Sequence, residues 1–459
     1  MTTVKFASIS CTLVLALATA ARLLYGEAAL AQAGATLVWQ DRVGQPGGDD
    51  FSGVDALAAS NHAIFVPGTL ANANGDSDFL VRAYRGNDGS LLWQDRFDTP
   101  GSFDGAIGIA TAGGRVFAMG GTNFGFGFPV IRAYDDKTGL LLWHNQVNDT
   151  RGVFDSAVID KNRVIAVGGN RTWMVDAYEA ETGELLWRDR FGAASGNRAI
   201  GVVESGGRVF VGGRARPAGA TLNWLVRAYD SRTGDVLWED HTPAGDFAQA
   251  TQLAVEGNRV IAVGYVETNS STAPFSETDW LVRTYDAKTG QIVWEERLET
   301  GGLDSIAIPF DVALLDGRAF VIGTGGPGCS FSVVGAPDNC DFIVRTYNIE
   351  TGQLLWEDRL DRAPIDQGLS IVAKGDAVFA TGNGGNTCAG VALTNCDIFV
   401  RAYDPNTGTL LWEDQVDTMG TDDLGGAIAT QGGSVFVAGV VIDADFTADI
   451  LIRAYHLRD

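Results

Sequence analysis

The chain has 459 residues, with 57 acidic against 33 basic side chains, a formal charge of −24 and 46% hydrophobic residues. A field of that sign repels nucleic acid and anionic lipid, so neither is expected as a partner, and it attracts cations and basic surfaces. The 42 Asp against 15 Glu and five Lys suit the turns of an all-β protein, and short carboxylates in tight loops are also what calcium requires.

Residues 1–33 read as an export signal. Lys5 opens a basic segment, an apolar stretch runs from Phe6 to about Leu24, and Ala31-Gln32-Ala33 offers small residues for cleavage. Arg22 interrupts the apolar stretch and no second one follows, so a removed signal is expected and no membrane span. The mature protein is then a single domain over 34–459, exported to the periplasm or the exterior.

From Thr36 onward one pattern recurs. Val81-Arg82-Ala83-Tyr84, a turn ending Asp88-Gly89, and Leu91-Leu92-Trp93-Gln94-Asp95 return as 131–145, 175–189, 226–240, 282–296, 344–358 and 400–414. The glycine turn between two β-rich runs predicts a hairpin, strands c and d. Two further apolar runs precede each hairpin, such as Ala106 to Thr111 and Val116 to Gly120, and supply strands a and b. Four antiparallel strands per repeat of ~50 residues is the signature of a propeller blade.

The tyrosines are Tyr84, Tyr134, Tyr178, Tyr229, Tyr285, Tyr347, Tyr403 and Tyr455; the tryptophans are Trp39, Trp93, Trp143, Trp187, Trp238, Trp294, Trp356 and Trp412. Eight of each predict an eight-bladed β-propeller. The chain opens on a lone strand d (37–41) and ends on a lone strand c (450–455), so residues 36–43 are expected to complete blade 8 with 423–457. Each Trp is expected between blades, its N–H on a backbone carbonyl. The strand c arginines are expected in inter-strand pairs or stacked on rings; blade 3 carries Asp176 instead.

Cys329 and Cys340 share one loop, and Cys388 and Cys396 the equivalent loop of the next repeat. Pairing 329 with 340 and 388 with 396 is expected, with crossed pairing as the alternative. His62, His144, His241 and His456 are scattered singly, and no zinc spacing is present.

Ala-Tyr-Asp-x-x-Thr-Gly-x-Leu-Leu-Trp resembles the tryptophan-docking repeat of the pyrroloquinoline quinone (PQQ) propeller family, over residues 36–459. The resemblance implies two kinds of function. Quinoprotein alcohol dehydrogenases of that family hold PQQ with calcium, a stacking Trp, an Asp base and a disulfide between adjacent cysteines. A non-enzymatic relative is the propeller lipoprotein that scaffolds outer-membrane barrel assembly. No adjacent Cys pair exists in this sequence, and no catalytic residue is singled out, so PQQ is not expected here.

Loops b–c and d–a emerge on one face, and that face carries repeated Asp. Asp55, Asp104, Asp155, Asp304, Asp366 and Asp423 precede strand a; Asp78, Asp279, Asp341, Asp397 and Asp449 precede strand c. Asn72-x-Asn74-Gly75-Asp76-x-Asp78 alternates oxygen donors around a glycine, and Asp443-x-Asp445 with Asp449 does likewise. With Asp49, Asp50, Asp55, Asp422 and Asp423 they are the expected calcium ligands, meeting where blade 8 adjoins blade 1. The expected function is a secreted, non-catalytic binding propeller that holds divalent cations, with a protein partner on the loop face. A barrel-assembly-like scaffold of the envelope and a PQQ-dependent dehydrogenase are the alternatives.

Overall fold

The computed structural model describes residues 35–44, 56–72, 75–123, 127–192, 196–216, 222–242, 247–267, 277–299, 305–327, 329, 339–385, 396–417, 423–442 and 447–457. The expected signal segment, Asp49, Asp50, Asp55, Asn74, Asp304, Asp422, Asp443, Asp445 and Cys388 lie outside them. The described residues form eight four-stranded antiparallel sheets and contain no helix.

Each blade follows the a-b-c-d order read from the repeat. Blade 5, for example, runs Phe247–Glu256, Arg259–Glu267, Thr278–Asp286 and Ile292–Leu298. Blade 8 joins Asp423–Gln431, Ser434–Ile442 and Ala448–Leu457 to Ala35–Val43 from the other end of the chain. That last pairing runs from Ala35 opposite Leu457 to Val43 opposite Ile450. Strands b and c are buried along almost their whole length because a neighbouring blade covers each face. Strand d is the outer edge and begins with exposed apolar pairs such as Leu185 and Leu186. The apolar clusters lie between blades; Trp224 and Val226 of blade 4, for example, pack with Leu253 and Tyr285 of blade 5.

The glycine turn between strands c and d, Asp-x-x-Thr-Gly in blades 2, 4, 5 and 7, stitches each of blades 1 to 7 to the one before it. In blade 5, Asp286 Oδ1 accepts Lys288 N–H (3.1 Å), Thr289 N–H (2.9 Å) and Thr289 O–H (3.0 Å), which holds its carboxyl below the usual range and fixes the turn. Trp238 of blade 4 then donates its Nε1–H to Ala287 O (3.1 Å). Gly290, at φ +73°, lies flat on the same indole: a Cβ there would sit 2.6 Å from a ring carbon. Only glycine combines that φ with that approach. Trp39, Trp93, Trp143, Trp187, Trp294 and Trp356 are docked identically on Gly86, Asp136, Ala180, Ser231, Ile349 and Pro405 carbonyls.

The arginines and tyrosines of strand c converge on a strand d acid of the preceding blade. Arg82 Nη1 and Tyr84 Oη donate to Asp41 Oδ2 at 3.0 and 2.7 Å. Asp95, Asp189, Asp240, Asp358 and Asp414 repeat this, and Arg345 faces Glu296 (3.2 Å). Stacking occurs as well, with Arg227 4.2 Å from the Phe191 centroid. Blade 3 departs from the pattern in both partners. Blade 2 offers Asn145 where the others offer an acid, and Asp176 replaces the arginine. Asp176, fully buried, takes Arg188 Nη2 (3.0 Å), Arg190 Nη2 (2.9 Å) and Tyr178 Oη (2.9 Å) from its own blade.

Cys329 and Cys340 form a disulfide. Cys396 is also disulfide-bonded, and its expected partner lies outside the described residues.

Candidate metal centre

The loop between strands b and c of blade 1 closes tightly. Asn72 N–H donates to Asp76 O (2.9 Å), Gly75 N–H donates to Asn72 O (3.2 Å), and Gly75 takes φ +81°. The loop from blade 1 to blade 2 returns against it: Asp104 N–H donates to Ser77 O (2.8 Å), and Ser77 bridges Phe103 in parallel. Similar parallel bridges at Leu222–Phe247, Thr278–Ile306 and Cys340–Ile365 put the b–c and d–a loops on one face around the ring.

Three carboxylates meet at this junction. Asp76, Asp78 and Asp98 each offer an oxygen, all within 4.8 Å of one another, and they are the one such group of three among the described residues. Asp78 is buried, accepting Asn72 Nδ2 (2.8 Å) on one oxygen and pairing with Arg96 (2.6 Å) on the other. Asp76 is buried too; its Oδ2 accepts Gly101 N–H (3.0 Å), whereas Oδ1 has no partner. Asp98 is exposed. Its carboxyl is pushed above the usual range by desolvation, then by the charges of Asp78, Asp76 and Asp104, against the opposing pull of Arg96. Asp104 does not complete the set, since Thr99 N–H (2.5 Å) and Ser102 O–H (2.7 Å) occupy its two oxygens.

Part of this arrangement is a repeated half-site. The Asp opening strand c faces the acid five residues after the blade's Trp. Glu299 raises Asp279, Asp361 raises Asp341 and Asp417 raises Asp397, each after burial as the larger cause. The residue three after the Trp bridges some of them: Arg359 meets Asp341 at 3.2 Å, as Arg96 meets Asp78. Blade 1 adds Asp76 to the pair. An all-oxygen donor set with two buried carboxylates and one unsatisfied oxygen suits a hard cation such as calcium or magnesium, and lacks the N and S donors of zinc or copper sites.

Of the expected ligands, Asn72, Asp76 and Asp78 come together, joined by Asp98, which the sequence reading did not single out. Its signal is the recurrence of an acid five residues beyond the Trp. Asp423 is buried on the blade 7 side, its N–H on Cys396 O (2.6 Å). Asp449 pairs with Arg42 (2.5 Å) within blade 8. Neither belongs to the blade 1 group, and the other expected ligands lie outside the described residues.

The family model described as outer membrane protein assembly factor BamB matches residues 26–172, 77–280 and 225–395. The quinohemoprotein alcohol dehydrogenase ADH-IIG of Pseudomonas putida is 30% identical over 197 residues, 40% of this chain and 24% of that protein. The chain thus spans about a quarter of the length of that curated relative. The solved structure of the Pseudomonas putida HK5 quinohemoprotein alcohol dehydrogenase superposes with a TM-score of 0.61 at 15% identity, covering 92% of this chain and 76% of that one. The quinohemoprotein alcohol dehydrogenase of Comamonas testosteroni gives 0.57 at 13%, with the same coverage. These two likenesses establish the propeller fold.

Proposed function

Since the chain belongs to the PQQ-like propeller family described as outer membrane protein assembly factor BamB, we propose that it is an exported, non-catalytic binding propeller. In this reading a divalent cation, calcium by its chemistry, orders the loops between blades 1 and 2, and that loop face receives a protein partner. Two observations carry it: the meeting of Asp76, Asp78 and Asp98 within 4.8 Å of one another and the buried Asp76 Oδ1 left without a partner. Two neighbouring carboxylates at short range repel, and a shared cation removes both the repulsion and the unmet acceptor. The Cys329–Cys340 bridge supports an oxidising compartment, and the family's description supports a protein partner.

Calorimetric titration of calcium into metal-stripped protein tests the reading. Saturable heat is expected, with stability rising by ~2.7 kcal/mol at a hundredfold excess over the dissociation constant. Asp76→Asn and Asp98→Asn should each weaken binding by about tenfold or more. Absence of both heat and any rise in melting temperature would refute it.

Two solved structures of the same fold are quinohemoprotein alcohol dehydrogenases, which makes a PQQ-dependent dehydrogenase the second reading. The five cysteines, Cys11, Cys329, Cys340, Cys388 and Cys396, include no adjacent pair, which weighs for the first. A PQQ-dependent dye-reduction assay separates the two.

A further inference from the structure

Seven repeat tryptophans are docked on the turn of the following blade, and the eighth is not. In each of the seven, the indole donates to the carbonyl two residues beyond the next tyrosine, at 2.8 to 3.1 Å. The turn glycine, at φ +70° to +77°, covers the ring face. Ring planes of each Trp and that tyrosine lie at 21° to 38°, with centroids 5.6 to 6.2 Å apart.

Trp412 faces blade 8, whose strands c and d come from opposite ends of the chain and have no Asp-x-x-Thr-Gly turn between them. The position two beyond Tyr455 is Leu457, which continues in the strand opposite Ala35 instead of turning. The consequences are visible at the indole. Trp412 is 6% exposed, yet its Nε1–H has no partner. Its ring stands at 64° to Tyr455, centroids 5.0 Å apart, outside the range of the other seven. Beside it lies a cavity of about 410 Å³ whose wall includes Trp412, Tyr455 and Arg453 together with the polar Asp414, Gln415 and Asp417.

We propose that this eighth dock is a recognition site for a glycine-bearing β-turn of a partner polypeptide, which supplies the carbonyl and the flat glycine face that blade 8 lacks. The chemistry of the occupant is set by the seven filled copies of the same interface. On the wall, Asp414 accepts Tyr455 O–H (2.7 Å) and Arg453 Nη1–H (3.2 Å), as in the other blades. What is left unmet on that wall is two N–H donors, Trp412 Nε1–H and Arg453 Nε–H, beside an indole that no turn glycine covers; donors of this kind select carbonyl oxygens, and the seven filled copies place a residue without Cβ on the ring. A buried donor left unmade is costly, so an occupant that accepts it gains the bond without displacing another, and the volume falls within the range of ligand sites. The site does not involve the cation, so it stands or falls separately from the calcium reading.

The probe is a cyclised peptide with this chain's own Thr284–Val293 sequence, titrated calorimetrically into the full chain with and without calcium. Saturable one-site binding is expected in both conditions. Trp412→Phe keeps the ring and removes the donor, and should weaken binding about fivefold, the equivalent of one neutral hydrogen bond of ~1 kcal/mol. Trp356→Phe, at a filled dock, should leave affinity unchanged, and a peptide carrying Gly290→Val should not bind. The proposal is overturned by absence of saturable binding, by equal affinity for Trp412→Phe, or by binding that appears only after deletion of residues 458–459, which would make the chain's own tail the occupant.

Discussion

Replacing a turn glycine by alanine separates two contributions that the fold combines at the tryptophan docks. Gly234 has φ +77°, and a Cβ there would lie 2.6 and 2.7 Å from two carbons of Trp187. Gly257, in the a–b turn of blade 5, has φ +58° with nothing within 4 Å. Both substitutions force alanine into the left-handed region, at a cost of ~1–2 kcal/mol. For Gly257→Ala that is the whole effect. At Gly234 carbon atoms need ~3.5 Å, so the indole must retreat by about an ångström. It is held by its bond to Ser231 O (2.9 Å) and by stacking on Tyr229 at 6.0 Å and 21°. Overpacking of ~1–3 kcal/mol and a lost hydrogen bond of ~1 kcal/mol are added, so Gly234→Ala should cost ~3–6 kcal/mol against ~1–2 for Gly257→Ala. Urea unfolding followed by tryptophan fluorescence measures both midpoints. Equal losses at the two positions, within ~0.5 kcal/mol, would refute the role given to the ring contact.

Two further outcomes follow from the ion pairs and the buried phenols. Asp176→Arg leaves Arg188 and Arg190 facing a third guanidinium in a buried site and should cost ~3–5 kcal/mol; adding Asn145→Asp and Arg188→Glu rebuilds the pattern of the other blades and should recover more than half, as a mutant cycle by chemical unfolding would show. Burial is the largest cause raising the pKa of Tyr84, Tyr134, Tyr178, Tyr229, Tyr285, Tyr347, Tyr403 and Tyr455. Folded values above the unfolded value of ~10 favour the native state fully below pH ~10, and that advantage is lost as pH rises through them. Stability should therefore hold to about pH 10 and fall steeply beyond, with tyrosinate absorbance appearing together with unfolding; smooth titration of these phenols in the folded protein near pH 10 would contradict their burial.

The ring was legible because its determinants are local and repeated: a Tyr, a glycine turn and a Trp nine residues on, seven times over, with Tyr455 and Trp39 as the two separated halves of an eighth. Closure was legible too, since a lone strand d and a lone strand c can only complete each other. The candidate centre was legible in half. Asn72, Asp76 and Asp78 fall in one short motif, whereas Asp98 joins them only because the loop leaving strand d folds back beside strand c. That adjacency depends on hairpin register, which no short window of sequence displays. Asp176 stood out as an exception, but its reason lies in Asn145, a residue of another blade. Trp173, Trp224 and Trp280, fully buried at the start of three c strands, were outside the repeat count. Two of them donate to the tyrosine hydroxyl of the next blade, Trp173 to Tyr229 and Trp224 to Tyr285, both at 3.0 Å, adding a second stitch at the opposite end of the strand from the glycine dock.

Joining blade 8 by strand pairing has a structural cost that counting Tyr and Trp alone conceals. Eight tyrosines and eight tryptophans suggest eight equivalent junctions, but the turn glycines number seven, one for each hairpin in which c and d are continuous. Pairing along eight register positions from Ala35 to Val43 covers the edge that an open sheet would expose, yet it cannot reproduce the turn. The junction between blades 7 and 8 therefore keeps the ion pair of Arg453 with Asp414 and loses the indole bond. The half-site also lapses in the blade 8 sheet: five residues beyond Trp39 stands Gly44, where a Cβ would overlap the Asp449 carboxylate. That carboxylate turns to Arg42 and is neutralised instead of facing a second acid. Closure thus leaves blade 8 with a paired acid and its junction with blade 7 with an unpaired indole, which is why cation chemistry is expected at blade 1 and peptide chemistry at Trp412.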